Sequence, residues 1–295
     1  ADGGAASSNR ARGEIWRARG SPGALLAAAH GHLGMFEAED YSRVLNRLQR
    51  LHRSGAASGR WLRRHSHFRE LLSSLAEAPV STWPPKDMAL ASHALACLAV
   101  RSEAFFEAVA STLPGKLASC KSQDVSNVVY ALSLLQLRHD SLLAAVAEHV
   151  ASGGARRLRS FTPQSVSNTV YACGQLRFRH DGMLRAVCEG VPPRLEEFNH
   201  QHLSMVLYGL ANLEYRHSDF LESVVRFLEE HGCYGVFTAQ AVSNSVYALL
   251  RLGAPPLRLL RPLAAQLRAP GRLEDFAARD LAALASVGAG AARAL

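Results

Sequence analysis

Four glutamines recur at one place in the chain, Gln123, Gln164, Gln201 and Gln240. Three asparagines, Asn127, Asn168 and Asn244, follow one helical turn later, with Met205 breaking the series. A primary amide both donates and accepts, so a row of amides on one face could hydrogen-bond the base edges of single-stranded RNA. The same amides could instead bond backbone of their own or a neighbouring turn, as an internal ladder. A residue that repeats unchanged cannot by itself discriminate bases. Polar positions that differ between copies are better readers: Asp124, Ser165, His202 and Ala241, and one turn on Val128, Thr169, Val206 and Ser245. The apolar members weaken the second set. A basic series also recurs, Arg138-His139, Arg179-His180 and Arg216-His217. Lined up along one edge it would hold phosphates; the alternative is a solvated turn in which arginine pairs with Asp140, Asp181 or Asp219. Arg156, Arg157 and Arg159 in a Gly-rich loop could add a phosphate contact or be solvated. Tyr130, Tyr171, Tyr208 and Tyr247 could stack bases, although aromatics at fixed helical spacing usually fill a core.

Nothing in the sequence points to catalysis. No GxSxG, P-loop, HExxH or dinucleotide fingerprint is present. His30-x-His32, His65-Ser66-His67 and His200-x-His202 lack Cys or acidic partners at ligand spacing, so no metal is expected. Nor is a cofactor or a small-molecule substrate. Cys97, Cys120, Cys173, Cys188 and Cys233 are odd in number, scattered, and form no CxxC pair, which argues for a reducing compartment and against a zinc ribbon. No apolar run is long enough to cross a bilayer, so no membrane association is expected.

The elements that must position these residues are repeats. Phe161 to Leu184 (FTPQSVSNTVYACGQLRFRHDGML) has copies at Cys120 to Leu143, Phe198 to Leu221 and Phe237 to Leu260, and their tyrosines are 41, 37 and 39 residues apart. That period means a helical-repeat solenoid. Weaker units begin near residues 36, 83 and 276, giving about seven helix pairs of 37–41 residues in an all-α, α-α superhelical solenoid over 33–295. In the first helix of a pair, Val125, Val128, Val129 and Leu132 form one buried stripe. Thr162 is the expected N-cap with Pro163 at the first helical position, and Asn199 and Thr238 hold the same place. Asp140, Asp181 and Ser218 are the expected caps of the second helix, with Pro255-Pro256 marking that start in a further copy.

Residues 1–32, rich in Ala, Gly, Ser and Arg, read as a disordered or targeting-like leader of organellar type. Phe36 to Leu51 is the first clear helix, and Ser54 to Arg69 reads as an enlarged basic loop. The chain has 295 residues, 48% hydrophobic, enough for a core, and its net charge of +8 favours a polyanionic partner.

The segment FTPQSVSNTVYA and its copies resemble organellar helical repeats of about this length. These are the octotricopeptide repeats of green-algal plastids, the heptatricopeptide repeats of apicomplexan mitochondria and the FAST-kinase-like proteins of animal mitochondria. The style is also similar to the helical subunits of the kinetoplastid mitochondrial RNA-editing substrate-binding complex. The resemblance covers roughly residues 83–287 and, more weakly, 36–75. The Pro-Pro-Pro-Glu-Trp sequence of octotricopeptide repeats and a RAP-like C-terminal segment are both absent. The resemblance implies a non-catalytic protein of mitochondria or plastids that binds single-stranded RNA, in transcript stability, processing, editing, translation or ribosome assembly. The alternative is an armadillo-like protein scaffold within a ribonucleoprotein complex.

Overall fold

The computed structural model describes residues 13–15, 17–230 and 239–254. Their regular structure is helical throughout, and the fold is an all-α helical solenoid. The α-helices are α1 (Pro22–His30), α2 (Ala38–Arg53), α3 (Gly59–Arg64), α4 (Ser66–Glu77), α5 (Pro85–Cys97), α6 (Glu103–Thr112) and α7 (Ser122–Leu135). There follow α8 (Asp140–Ala151), α9 (Gly154–Leu158), α10 (Pro163–Gln175), α11 (Asp181–Gly190), α12 (His200–Asn212), α13 (Ser218–Glu230) and α14 (Ala239–Arg251). The chain divides into two compact units, Ala1–Leu142 and Leu143–Leu295. In the first, α2, α5 and α7 stack in sequence order, and α4 packs on α6. In the second, α10, α12 and α14 stack in the same way. These stacked elements are the first helices of the repeats, called A helices below; each second helix is a B helix.

Local chemistry fixes both ends of an A helix. Thr162 Oγ1 accepts from the Ser165 N–H at 3.1 Å with Pro163 at the first helical position, and Asn199 Oδ1 accepts from the His202 N–H at 2.9 Å. Where the cap residue is Lys121, Asp124 accepts from its N–H at 3.2 Å. Such a cap contributes about 1 kcal/mol. At the other end the backbone turns left-handed at the same repeat position each time: Ala99, Gln136, Arg177, Glu214 and Gly253. The next N–H then reaches back to the last helical turn, as from Leu137 to Leu132 and from Phe178 to Cys173, both at 2.9 Å. This bonding is the Schellman pattern. It stops every A helix from α5 onward at the same point and aims the chain into the following B helix.

In the four copies where the described residues join a B helix to the next A helix, a short third element lies between them that the two-helix reading omitted. It is a 3-10 segment at Val80–Thr82, Leu113–Ser119 and Pro192–Glu197, and α9 in the remaining copy. Its basic residues hold the preceding repeat. Lys116 Nζ donates to the Ser81 and Trp83 carbonyls at 2.7 and 2.8 Å, and Arg194 Nη1 to the Leu158 and Phe161 carbonyls at 2.8 and 3.1 Å. The core of the second unit is the inner side of this stack, with Val166, Val170, Leu203, Leu207, Leu210, Val242 and Val246 buried. At the tightest approach, a Cβ on Gly174 would lie 2.7 Å from Gly209 Cα. Glycine at both positions lets α10 and α12 touch backbone to backbone.

Three expectations change. The leader boundary at residue 33 falls too late, because α1 buries Leu25, Leu26 and Ala29 against α2 and α4. The basic loop from Ser54 to Arg69 is largely helical, since Ser58 caps α3 and Phe68 is buried on α4. The second helices are capped by histidine rather than by the residue after it. His180 Nδ1 accepts from the Met183 N–H at 3.1 Å and His217 Nδ1 from the Phe220 N–H at 3.3 Å, leaving Asp181 and Ser218 as first helical residues. Thr238, Cys233, Pro255-Pro256 and the unit from Phe276 lie outside the described residues.

Candidate nucleic-acid interface

Along each A helix, positions 0, +4, +7 and +11 share one outward stripe, and the rest of the helix is mostly buried. In α10 the stripe is Gln164, Asn168, Tyr171 and Gln175; in α12 it is Gln201, Met205, Tyr208 and Asn212; in α14 it is Gln240, Asn244, Tyr247 and Arg251. In the first unit, α7 carries Gln123, Asn127, Tyr130 and Leu134, α5 carries Lys86, Leu90, His93 and Cys97, and α2 carries Glu39, Arg43, Asn46 and Arg50. A spacing of four, three and four follows the 3.6-residue turn, so the stripe is a straight band.

All four glutamines are exposed. Asn127 and Asn244 are half-buried, and Asn168 is 7% exposed. Among the described residues none of these seven amides has a hydrogen-bond partner within the protein. The internal ladder is therefore not built at these positions. The buried ladder is one residue earlier and was missed: Ser126, Ser167 and Ser204 donate to the carbonyls of Gln123, Gln164 and Gln201 at 3.2, 3.1 and 2.9 Å. Its signal was visible as an unvarying serine directly after a core valine or leucine.

The tyrosines are half-buried; Tyr171 stacks on Tyr208, and Tyr208 meets Tyr247 at a tilt. Tyr171 and Tyr208 have ring centroids 5.9 Å apart at an interplanar angle of 28°, and Tyr208 and Tyr247 are 6.0 Å apart at 41°. Gln175 Nε2 donates to Tyr171 Oη at 2.6 Å and Arg251 Nη1 to Tyr247 Oη at 2.9 Å. The expected variable readers do not reach solvent as a set. Ser165, Ala241, Val128, Thr169, Val206 and Ser245 are buried, while Asp124 and His202 are used at helix starts. The stripe position that does vary is the last one, Leu134, Gln175, Asn212 and Arg251.

The Arg-His series occupies the turns before the B helices. Arg138 pairs with Asp140 at 2.6 Å and Arg179 with Asp181 at 2.7 Å. Each bond holds the guanidinium above its ordinary range, and Arg179 holds the Asp181 carboxyl below its own. Arg179 also donates to the Leu213 and Glu214 carbonyls at 3.2 and 3.3 Å and lies over the Tyr215 ring. Arg179 thus ties its turn to the next, and Arg138 braces its own turn through Asp140. Arg216 precedes Ser218, not an aspartate, and has no carboxylate partner among the described residues. His139 and His180 reach Glu107 and Glu148 on the preceding B helices at 3.3 and 3.5 Å. Arg156 and Arg157 sit on α9.

No nucleophile is presented by the described cysteines. Burial pushes the Cys173 and Cys188 thiols up to about 12, and burial with the Asp124 charge pushes Cys120 up to about 11. Among the described residues no three His, Cys, Asp or Glu side chains converge as a metal site, and no helix is long and apolar enough to cross a membrane.

A family model, that of the RNA-editing substrate-binding complex 6 protein, matches residues 64–284, well over half of the chain. The chain belongs to the RNA-editing substrate-binding complex 6 protein family. The matched span takes in the striped helices α5, α7, α10, α12 and α14, whereas α2 and most of α3 precede it. No curated protein matched the chain. Of the resemblances noted from the repeat motif, family membership supports the one to the RNA-editing substrate-binding complex; the others rest on repeat style alone.

Proposed function

We propose that this chain is a non-catalytic, RNA-binding subunit of a mitochondrial RNA-editing complex, and that single-stranded RNA lies along the outward stripe of its A helices. The observation that carries this reading is the row of protein-unpartnered amides on α10, α12 and α14, running beside a file of tyrosines whose rings contact one another. Gln123 and Asn127 repeat the pattern on α7. Amides serve base edges and aromatic rings serve base faces, which is how single strands are bound when bases are unstacked. Gln123, Gln164, Gln201 and Gln240 supply the exposed rim; Asn127, Asn168 and Asn244 lie deeper. Because those residues repeat, they give affinity; the last stripe position, Gln175, Asn212 and Arg251, gives any base preference. Of the Arg-His series, Arg216 with His217 is the member open to phosphate, whereas Arg138-His139 and Arg179-His180 would first have to exchange a carboxylate for it. The mitochondrial location follows from the resemblance to the kinetoplastid mitochondrial complex, and the editing role from the family. The partners of the chain are then the RNA substrate and other proteins of the complex.

A protein-scaffold reading has one observation in its favour. Leu134 is 44% exposed, and with Leu90 and Cys97 it makes the stripes of α5 and α7 less polar than those of the second unit. Binding of labelled single-stranded RNA to the full chain, followed by fluorescence anisotropy, separates the two. Replacing Tyr171 and Tyr208 together by alanine should weaken binding roughly tenfold or more, at the ~1–3 kcal/mol per base that stacking contributes, with the helical content unchanged by circular dichroism. Unaltered RNA affinity in that folded variant would contradict the proposal and favour the scaffold.

A further inference from the structure

The positive charge of this chain is concentrated in one short stretch. Residues 41–69 hold eight arginines and no Asp or Glu, leaving 25 lysines and arginines against 25 acidic residues elsewhere. The stretch 41–69, from within α2 through α3 to the start of α4, thus carries a charge equal to the whole net charge of +8. Arg43 is paired with Glu39 at 2.6 Å. Arg50, Arg53, Arg60, Arg63, Arg64 and Arg69 are exposed, and among the described residues none has a carboxylate partner.

The patch is built rather than loose. The left-handed Gly55 turns the chain after α2, Ala57 is buried, and His52 Nδ1 bonds the Ala57 carbonyl at 2.8 Å. Ser58 then caps α3 by accepting from the Trp61 N–H at 3.1 Å. Leu62 alone of the residues from Arg60 to Arg64 is buried, so Arg60, Trp61, Arg63 and Arg64 all face out. A Cβ at Gly59 would lie 3.2 Å from Arg63 Nη1 and 3.6 Å from the His52 ring, so a glycine there lets that guanidinium lie back over the loop. Trp61 is 39% exposed, an unusual place for an indole, and its ring is backed by His65 at 4.8 Å between centroids.

We propose that this arginine surface, Arg60, Arg63 and Arg64 beside Trp61 on α3 with Arg50 and Arg53 in the last turn of α2, is a second RNA contact, in which the guanidiniums bind phosphates and the indole stacks on a base. It takes its ligand from the RNA reading above and shares only Arg50 with the A-helix stripes; its residues lie before or at the start of the family-matched span. Two features favour RNA over an acidic protein. All the basic residues are arginine, whose planar fork matches phosphate oxygens two at a time. An exposed indole among guanidiniums offers stacking, for which a nucleobase has a face and a carboxylate has none.

The test uses the full chain and fluorescein-labelled oligouridine over a salt series. Each phosphate contact contributes about 0.7 to the slope of log K against log salt for single strands. Arg60→Ala, Arg63→Ala and Arg64→Ala combined should lower that slope by about 2 and weaken binding, whereas lysine at all three should restore the slope. Trp61→Ala should weaken binding roughly tenfold while leaving the slope unchanged. A slope and affinity unmoved by the triple alanine variant would overturn the proposal. If polyglutamate binds as tightly as RNA and Trp61→Ala alters neither, the surface belongs to an acidic protein and the RNA assignment falls. The Tyr171 and Tyr208 variant keeps the two readings apart: loss there with none in the arginine variant overturns only this proposal, and the converse overturns only the helix-stripe reading.

Discussion

A left-handed backbone costs an L-residue about 1–2 kcal/mol relative to glycine, and Ala99, Gln136, Arg177 and Glu214 each sit in it with φ of 53 or 54°. The cost is borne because this residue closes the A helix and starts the turn. Ala99 is exposed, and its methyl group makes no polar contact, so it isolates the effect. Ala99→Gly should raise stability by about 1 kcal/mol, read as a higher urea midpoint; a lower midpoint would mean that the methyl group packs. None of this was legible in the sequence, because the position holds Ala, Gln, Arg, Glu and Gly in turn and only backbone geometry unites them. The amides were legible by spacing, and their lack of partners was not. Whether Asn168 bonds a carbonyl depends on where the neighbouring helix stands. The burial of Thr169 and Ser245 could have been read, since the same position holds Val128 and Val206 and falls three residues after a core valine or leucine.

Between elements, the starts of α10 and α12 were legible from their caps, since Thr162, Pro163 and Asn199 are strong local signals. The short third element was missed. A single turn of 3-10 helix needs no periodic pattern to declare itself, and the staples from Lys116 and Arg194 join residues more than thirty positions apart. The closest helix contact was also invisible from spacing. A Cβ on Gly209 would meet the Val170 carbonyl oxygen at 2.5 Å, a backbone atom that cannot swing aside. Alanine there would gain up to ~1 kcal/mol of helix propensity and lose more by forcing α10 and α12 apart, since overpacking costs roughly 1–3 kcal/mol. Gly209→Ala should therefore lower the thermal midpoint, while alanine at exposed, open Gly115 should leave it nearly unchanged. A raised midpoint for Gly209→Ala would show that the helices can separate without loss.

For the molecule as a whole, the net charge of +8 suggested a polyanion but not where it would bind. The structure separates two kinds of surface. One is an uncharged-to-mixed stripe of amides and rings along the A helices; the other is an arginine field on α2 and α3, in the first compact unit. Phosphate attraction is strong, salt-sensitive and blind to sequence, whereas base contacts are short-range. A chain with both can capture RNA by its backbone and hold it by its bases. The most direct measurement of the central claim is photocrosslinking of the full chain to single-stranded RNA containing 4-thiouridine, with adducts located by mass spectrometry. Adducts on the peptides carrying Tyr171, Tyr208 and Tyr247 are predicted. Adducts confined to B-helix peptides such as those of α11 and α13, or none above a duplex control, would contradict it.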